Sequence, residues 1–187
     1  HAGQICSAGT RVMVATPIHD QVVKHLEQRI KKIKLGNGMD KETQMGPLIS
    51  DSQLEKVSNH VKNAIAEGAK LIAGGKQPSS PALANGFFYE PTLLVGCTKE
   101  MAIVKEEIFG PVIHIEKFDT EEEAVQNAND TIYGLSAGFW TRDAQRMERV
   151  SKALRFGTVW VNDFNVYFVQ APWGGYKQSG LGRELGH

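Results

Sequence analysis

The sequence predicts an α/β fold, in which a mostly parallel sheet is flanked by helices and one domain covers residues 1–187. Short apolar runs alternate along the chain with longer amphipathic segments, which is the pattern of βαβ units. Clusters of glycine, proline and asparagine separate the two kinds of segment, as turns require. No internal repeat, low-complexity tract or change of composition indicates a linker.

The amphipathic segments predict helices because their apolar residues recur every three or four positions. The first follows Pro17 and ends before Gly36, two residue types that suit the start and the end of a helix. Ser50 and Gln53 form a capping-box pattern, in which both side chains are expected to satisfy free backbone donors at the start of the second helix. The predicted helices cover residues 18–34, 50–68, 120–128 and 144–154.

The short apolar runs predict the strands, and the chain from Asn162 onward is rich in glycine and aromatic residues with little periodicity. Ligands of open α/β sheets bind beyond the carboxyl ends of the strands, so the glycine-rich loops are the first places to look for a site. The predicted strands cover residues 11–15, 71–73, 92–95, 112–116, 135–141 and 157–161.

Composition excludes several classes of protein. The 21 basic and 21 acidic residues cancel, whereas a nucleic-acid-binding protein needs an excess of lysine and arginine. No apolar run approaches the roughly 20 residues that span a bilayer, and the N-terminus lacks the pattern of a secretion signal. The two cysteines, Cys6 and Cys97, have neither disulfide-framework nor zinc-site spacing. We expect a cytoplasmic protein without a metal, nucleic-acid or membrane partner.

Cys6 is the first candidate for chemistry because Gly3 and Gly9 flank it and its neighbours are small. A thiol in such a turn, near backbone N–H groups, can be stabilised as a thiolate and act as a nucleophile. The alternative is that Cys6 is a small buried apolar residue, which is the commoner state of a lone cysteine. Cys97 has no comparable surroundings and is expected to be structural.

Two further segments carry candidate binding residues. In residues 105–111, adjacent carboxylates could bond ribose hydroxyls and Phe109 could pack on a flat ring; the alternative is a solvated charged turn. Residues 173–180 are glycine-rich but lack the spacing of a phosphate-binding loop. No G-x-G-x-x-G fingerprint follows a predicted strand, so the usual dinucleotide signature is absent.

Three segments, in this order along the chain, resemble the NAD(P)-dependent aldehyde dehydrogenases, and the resemblance extends over residues 1–187. It implies the catalytic-domain fold of that family and the oxidation of an aldehyde to a carboxylate, with NAD or NADP as the cofactor. The segments are Gly3-Gln4-Ile5-Cys6-Ser7-Ala8, Glu106-Glu107-Ile108-Phe109-Gly110-Pro111 and Gly174-Gly175-Tyr176-Lys177-Gln178-Ser179-Gly180; supporting matches lie at 45–48, 129–135, 157–162 and 182–186.

The resemblance implies a role for each candidate residue. Cys6 matches the catalytic nucleophile, whose own backbone N–H helps to hold the oxyanion. Glu107 matches the glutamate that bonds the nicotinamide ribose, and Phe109 matches the phenylalanine beside that ring. Gln53 and Lys56 align with positions that reach the adenosine ribose; the alternative is a capping glutamine and a solvated lysine.

Residues 162–174 are similar to the subgroup of the family that oxidises betaine aldehyde to glycine betaine. Trp173 matches a member of an aromatic box around a trimethylammonium group, and Tyr167 lines the substrate tunnel in this comparison. A quaternary ammonium group cannot donate hydrogen bonds, so aromatic faces are its best partners, worth about 0.5–2 kcal/mol each. The alternative is that Trp173 fills a hydrophobic tunnel for aliphatic or amino aldehydes.

The resemblance also implies that this chain is a fragment. In family order a glutamate general base, an oxyanion-binding asparagine and the main dinucleotide-binding domain precede the cysteine, and an oligomerisation segment follows the last motif. We therefore expect the 187-residue chain alone to be inactive, and the full-length enzyme to be a homodimer or homotetramer.

Two other classes of function stay open at this point. A cysteine hydrolase or acyltransferase would use Cys6 with His60 or His114 as its base. A non-catalytic assembly module would keep the fold without the chemistry. Histidine rings far from Cys6 would argue against the first, and a Cys6 thiol more reactive than Cys97 would argue against the second.

Overall fold

The computed structural model describes residues 1–186 and contains two compact units, one covering residues 1–118 and the other beginning at Asp119. The interpretation of residues 1–187 as one domain stays a prediction. Within residues 1–186, no helix combines the length and the apolar character that crossing a bilayer requires.

The first unit is built on a four-stranded sheet, whose strands in spatial order are β1 (Arg11–Ala15), β4 (Val112–Phe118), β3 (Thr92–Val95) and β2 (Lys70–Ala73). Strand β4 pairs in parallel with both β1 and β3, and only the edge strand β2 runs antiparallel. The predicted α/β class with a mostly parallel sheet is confirmed. The elements are β1 Arg11–Ala15, α1 His19–Ile30, α2 Asp51–Ala66, β2 Lys70–Ala73, β3 Thr92–Val95, α3 Ala102–Lys105 and β4 Val112–Phe118.

Helices α1 and α2 cover opposite faces of this sheet. The neighbouring strand residues Leu93 and Leu94 are both fully buried and point to opposite sides, as the period of a strand requires. Leu94 belongs to the core cluster that holds the apolar stripe of α2, including Val57 and Val61, while Leu93 belongs to the cluster beneath α1. Each such side chain contributes about 1.5–3 kcal/mol by leaving water.

Helix α1 is shorter than the predicted segment 18–34, because its hydrogen bonds change to the tighter i,i+3 pattern after Ile30. After Ile30 the backbone tightens, and the Ile33 N–H donates to Ile30 O at 3.1 Å. The Lys34 N–H donates to the side-chain oxygen of Gln44 at 2.9 Å, so it does not continue the helix. A short 3-10 turn over Thr16–Ile18 replaces the predicted start.

Helix α2 begins as predicted, with Ser50 as its N-cap. The Ser50 hydroxyl oxygen accepts a hydrogen bond from the Gln53 N–H at 3.2 Å. The expectation that the Gln53 side chain would complete the capping box is wrong, since that side chain bonds two carbonyls of a distant loop.

The second unit contains a two-stranded parallel sheet of β6 and β7 and a short antiparallel pair of β5 and β8. The predicted strand 135–141 ends at Phe139, because Asn162 Oδ1 takes the Thr141 N–H at 2.8 Å. Thr120 and Asp143 cap the two helices through their side-chain oxygens. The elements are α4 Glu121–Asn129, β5 Tyr133–Gly134, β6 Ser136–Phe139, α5 Ala144–Ala153, β7 Thr158–Val161 and β8 Tyr176–Lys177.

Candidate active site

The Cys6 turn precedes β1 and exposes its thiol. Backbone bonds from Gln4 N–H to His1 O and from Ala8 N–H to Ile5 O, each 3.0 Å long, fold the turn. Cys6 is exposed, whereas Cys97 is half-buried and burial raises its pKa to about 11. Of the two thiols, Cys6 is therefore the one accessible to a substrate. Within residues 1–186, the backbone N–H of Cys6 donates to no backbone carbonyl.

Gly3 allows this turn to lie directly against a second loop. Its φ is +71°, and a Cβ at this position would lie 2.0 Å from the Gly110 carbonyl oxygen. A Cβ on Gly110 would in turn lie 2.4 Å from Val57 Cγ2, so Gly110 packs closely on α2. The two glycines therefore bring the nucleophile turn, the 107–111 loop and α2 into contact.

Gln4 ties the same turn to the segment that leads into α2. Its Oε1 accepts a hydrogen bond from the Ile49 N–H at 2.9 Å, and its Nε2 donates to His1 O at 3.1 Å. Sequence reasoning missed this residue. The available signal was a long polar side chain standing between Gly3 and Cys6, where the neighbours are small.

Helix α2 and the 107–111 loop bring together the four residues predicted to bind the cofactor. Lys56 Nζ donates to Glu107 O at 2.7 Å, and Gln53 Nε2 donates to Ile108 O at 2.8 Å and to Phe109 O at 2.9 Å. Two side chains one helical turn apart thus hold three consecutive carbonyls of the loop.

These contacts use the backbone carbonyls of the loop and leave the Glu107 and Phe109 side chains accessible to different degrees. Ile108 is 5% exposed and belongs to the core, while Glu107 is exposed and Phe109 is half-buried. The Glu107 carboxylate makes no hydrogen bond or ion pair that the structure describes for residues 1–186. A carboxylate and an aromatic ring on the same short loop suit a sugar hydroxyl and a flat ring, so this loop fits one end of a dinucleotide.

Neither candidate histidine has a described contact with Cys6. His60 lies 3.6 Å from Glu106, and burial lowers its pKa. His114 is buried in β4, where burial lowers its pKa to about 4. The described contacts of the first unit therefore contain no Cys–His pair for a hydrolase.

In the second unit, Tyr167 and Trp173 are in contact, with ring centroids 4.7 Å apart and an edge-to-face angle of 74°. Trp160 lies 5.8 Å from Tyr167 and 6.1 Å from Trp173, and its indole N–H donates to Val166 O at 2.8 Å. Sequence reasoning predicted Tyr167 and Trp173 but missed Trp160, whose place at the buried position of β7 was the available signal.

Trp173 is held by paired backbone bonds. Its N–H donates to Glu184 O at 2.7 Å, and the Glu184 N–H donates to Trp173 O at 2.8 Å. Tyr167 is 46% exposed, and its hydroxyl donates to Asn165 Oδ1 at 2.8 Å. The second unit therefore presents an aromatic surface whose rings are fixed by their backbone and by one another.

Within residues 1–186, no group of three or more histidine, cysteine, aspartate or glutamate side chains is placed to hold a metal ion.

A family model described as the aldehyde dehydrogenase family matches residues 1–187. A betaine aldehyde dehydrogenase of Bacillus subtilis (strain 168) is 58% identical over 186 residues, which are 100% of this chain and 38% of that protein.

A betaine aldehyde dehydrogenase of Mesorhizobium japonicum is 52% identical over 182 residues, 97% of this chain and 37% of that protein. The crystal structure of betaine aldehyde dehydrogenase from Staphylococcus aureus in complex with NAD+ superposes with a TM-score of 0.97 and 53% identity, covering 100% of this chain and 37% of that one. The chain spans about 38% of the length of the curated relatives it matches. Because the family model covers the whole chain and these relatives share more than half of its residues, this chain belongs to the aldehyde dehydrogenase family.

Proposed function

We propose that the gene product containing this chain oxidises betaine aldehyde to glycine betaine with NAD, and that Cys6 is its nucleophile. One observation carries the proposal: the exposed Cys6 thiol stands on a turn that packs, through Gly3, against the loop bearing Glu107 and Phe109. The betaine aldehyde dehydrogenase names of the relatives support the substrate, and the NAD+ complex of one relative supports NAD as the cofactor. Cytoplasmic location and homodimeric or homotetrameric assembly belong to the same proposal.

The chemistry begins with the Cys6 thiolate. Its sulfur attacks the aldehyde carbon, forming a C–S bond and moving the carbonyl electron pair onto oxygen. The Cys6 N–H, which has no described backbone acceptor in residues 1–186, donates to that oxyanion. A bound NAD+ would supply the hydride acceptor for the thiohemiacetal carbon, and Cys6 would then hold the acyl group as a thioester. Water then hydrolyses the thioester, its OH going to the acyl carbon and one proton to the sulfur. The carboxylate and a second proton are released, and loss of the thiol proton restores the Cys6 thiolate.

The loop residues orient the cofactor in this proposal. The exposed Glu107 carboxylate accepts hydrogen bonds from the hydroxyls of the nicotinamide ribose, and the Phe109 ring packs beside the nicotinamide. Direct contact of Gln53 and Lys56 with the adenosine ribose stays a prediction. The described bonds of both side chains go to the loop carbonyls.

The role of Cys6 is tested by comparing two matched cysteine variants of the complete gene product. Cys6→Ala removes the nucleophile, so we expect NADH formation from betaine aldehyde and NAD+ to fall by at least about a thousandfold. Cys97→Ala removes a half-buried thiol whose pKa is about 11, so activity is expected to stay within about twofold. Equal activity of the two variants would show that Cys6 is not the nucleophile.

The substrate is tested at Trp173 with two aldehydes of the same shape. Betaine aldehyde carries a trimethylammonium group, and 3,3-dimethylbutanal replaces its nitrogen by carbon. Loss of a cation–π contact of about 0.5–2 kcal/mol predicts that Trp173→Leu raises KM for betaine aldehyde by about 2- to 30-fold. KM for the neutral aldehyde is expected to change little. An equal rise for both would instead mean that Trp173 only fills a hydrophobic tunnel.

A further inference from the structure

The contacts between α2 and the 107–111 loop assign Gln53 and Lys56 a role that the sequence did not predict. We propose that both are positioning residues, which hold the backbone of residues 107–109 and thereby aim Glu107 and Phe109 at the nicotinamide end of NAD. The inference rests on the proposed function. It differs from the expectation that these side chains touch the adenosine ribose themselves.

The N–H donors of the Gln53 amide are already used by the loop. A glutamine amide has two N–H groups, and Gln53 Nε2 lies 2.8 Å from Ile108 O and 2.9 Å from Phe109 O, so both are engaged. Lys56 Nζ lies 2.7 Å from Glu107 O, the shortest of the three contacts. The amide of Gln53 thus has no N–H left for a ribose hydroxyl.

The Gln53 amide holds a residue whose backbone is strained. Phe109 has φ of +58°, a left-handed conformation that is uncommon for a bulky side chain and persists only where surrounding contacts enforce it. The Gln53 amide holds the Phe109 carbonyl directly, and the next residue, Gly110, is fixed against Val57. Loss of the Gln53 hydrogen bond is therefore expected to let the Phe109 ring change its orientation.

Burial within the loop alternates with the residues that α2 holds. Buried Ile108 anchors the centre of the loop, while the flanking Glu107 is exposed and Phe109 is half-buried. With the carbonyl of each flanking residue held by α2, the helix determines where both side chains stand relative to the Cys6 turn that Gly3 packs against Gly110.

The test measures binding of NAD+ and ADP by calorimetry to the complete gene product carrying Gln53→Glu or Lys56→Met. ADP contains the adenosine ribose but no nicotinamide ribose. If both residues position the loop, the Kd for NAD+ rises about tenfold or more in each variant, while the Kd for ADP stays within about twofold. Lys56→Arg keeps a donor and is expected to restore most of the NAD+ affinity.

Matched controls stand on the exposed face of the same helix. Asn59→Asp repeats the amide-to-carboxylate change and Lys62→Met repeats the loss of an ammonium group, and neither is expected to change either Kd by more than about twofold.

Hydrogen exchange measures the same positioning effect in the absence of a cofactor. Amide hydrogen exchange over residues 105–111 is expected to accelerate in Gln53→Glu and Lys56→Met but not in the controls.

Equal weakening of NAD+ and ADP would overturn the inference in favour of direct adenosine contact, and unchanged affinity for both would overturn it as well. If the protein without substitutions binds no NAD+, the proposed function is wrong, and the inference that rests on it is wrong as well. If Gln53→Glu does not fold, the Lys56→Met and Lys56→Arg pair still decides the question.

Discussion

The Cys6 turn can pack against the 107–111 loop only because Gly3 has no Cβ. Any side chain there would place a Cβ 2.0 Å from Gly110 O, on a backbone whose φ is already +71°. The sequence showed that Cys6 has glycine neighbours, and from that alone a tight turn could be predicted. It could not show that Gly3 meets Gly110, because that contact joins segments more than a hundred residues apart.

We therefore predict that Gly3→Ala damages both stability and activity. The overlap with Gly110 and the left-handed φ together cost more than about 2 kcal/mol of unfolding free energy. Thermal unfolding and NADH formation of the complete gene product measure the two effects. Gly38→Ala is the matched control, since nothing lies within 4 Å of a Cβ there, and it should leave both unchanged. Equal behaviour of the two variants would contradict the close-contact account.

At the scale of elements, the positions of helices and strands followed from periodicity, and the partners of their side chains did not. The apolar stripe of α2 and its Ser50 cap were predictable because both depend on residues three or four apart. Where α1 ends was not, because the apolar spacing continues to Ile33 although the backbone bonds tighten after Ile30. The Gln53 side chain likewise bonds a loop that is distant in sequence instead of the start of its own helix.

Strand β4 supplies a pH-dependent prediction through His114. The ring is 3% exposed. Its Nδ1 lies 3.4 Å from Glu116 Oε1 and makes no hydrogen bond. Arg11 bonds the same Glu116 carboxylate. Burial lowers the pKa of His114 to about 4 from an ordinary value of 6.5. Between those pH values the unfolded chain takes up a proton that the folded chain does not, so stability must fall as pH falls.

The measurement is urea unfolding of the protein, His114→Leu and His25→Leu at pH 7 and pH 5. The unmodified protein should lose about 2 kcal/mol more stability over this interval than His114→Leu, because the leucine removes the proton uptake of the unfolded state. His25 is exposed, so His25→Leu should lose as much as the unmodified protein. An identical pH dependence in all three proteins would contradict the assignment.

At the scale of the whole molecule, the chain corresponds to about 38% of the length of its relatives and carries the residues proposed as nucleophile, cofactor loop and aromatic surface. Ordered motifs across the sequence were enough to predict the family, and the family model confirms it. The aromatic surface was only partly predictable: Tyr167 and Trp173 lie in a segment with a distinctive pattern, but Trp160 joins them through the fold.

The central claim is that the aldehyde carbon becomes covalently bonded to Cys6. The most direct measurement is acid quenching of the complete gene product during turnover with betaine aldehyde and NAD+, followed by mass spectrometry of its peptides. We predict that the peptide containing Cys6 carries the trimethylglycyl group as a thioester, and that the Cys97 peptide is unmodified. NADH formation with an unmodified Cys6 peptide, or with the acyl group on another residue, would contradict the account.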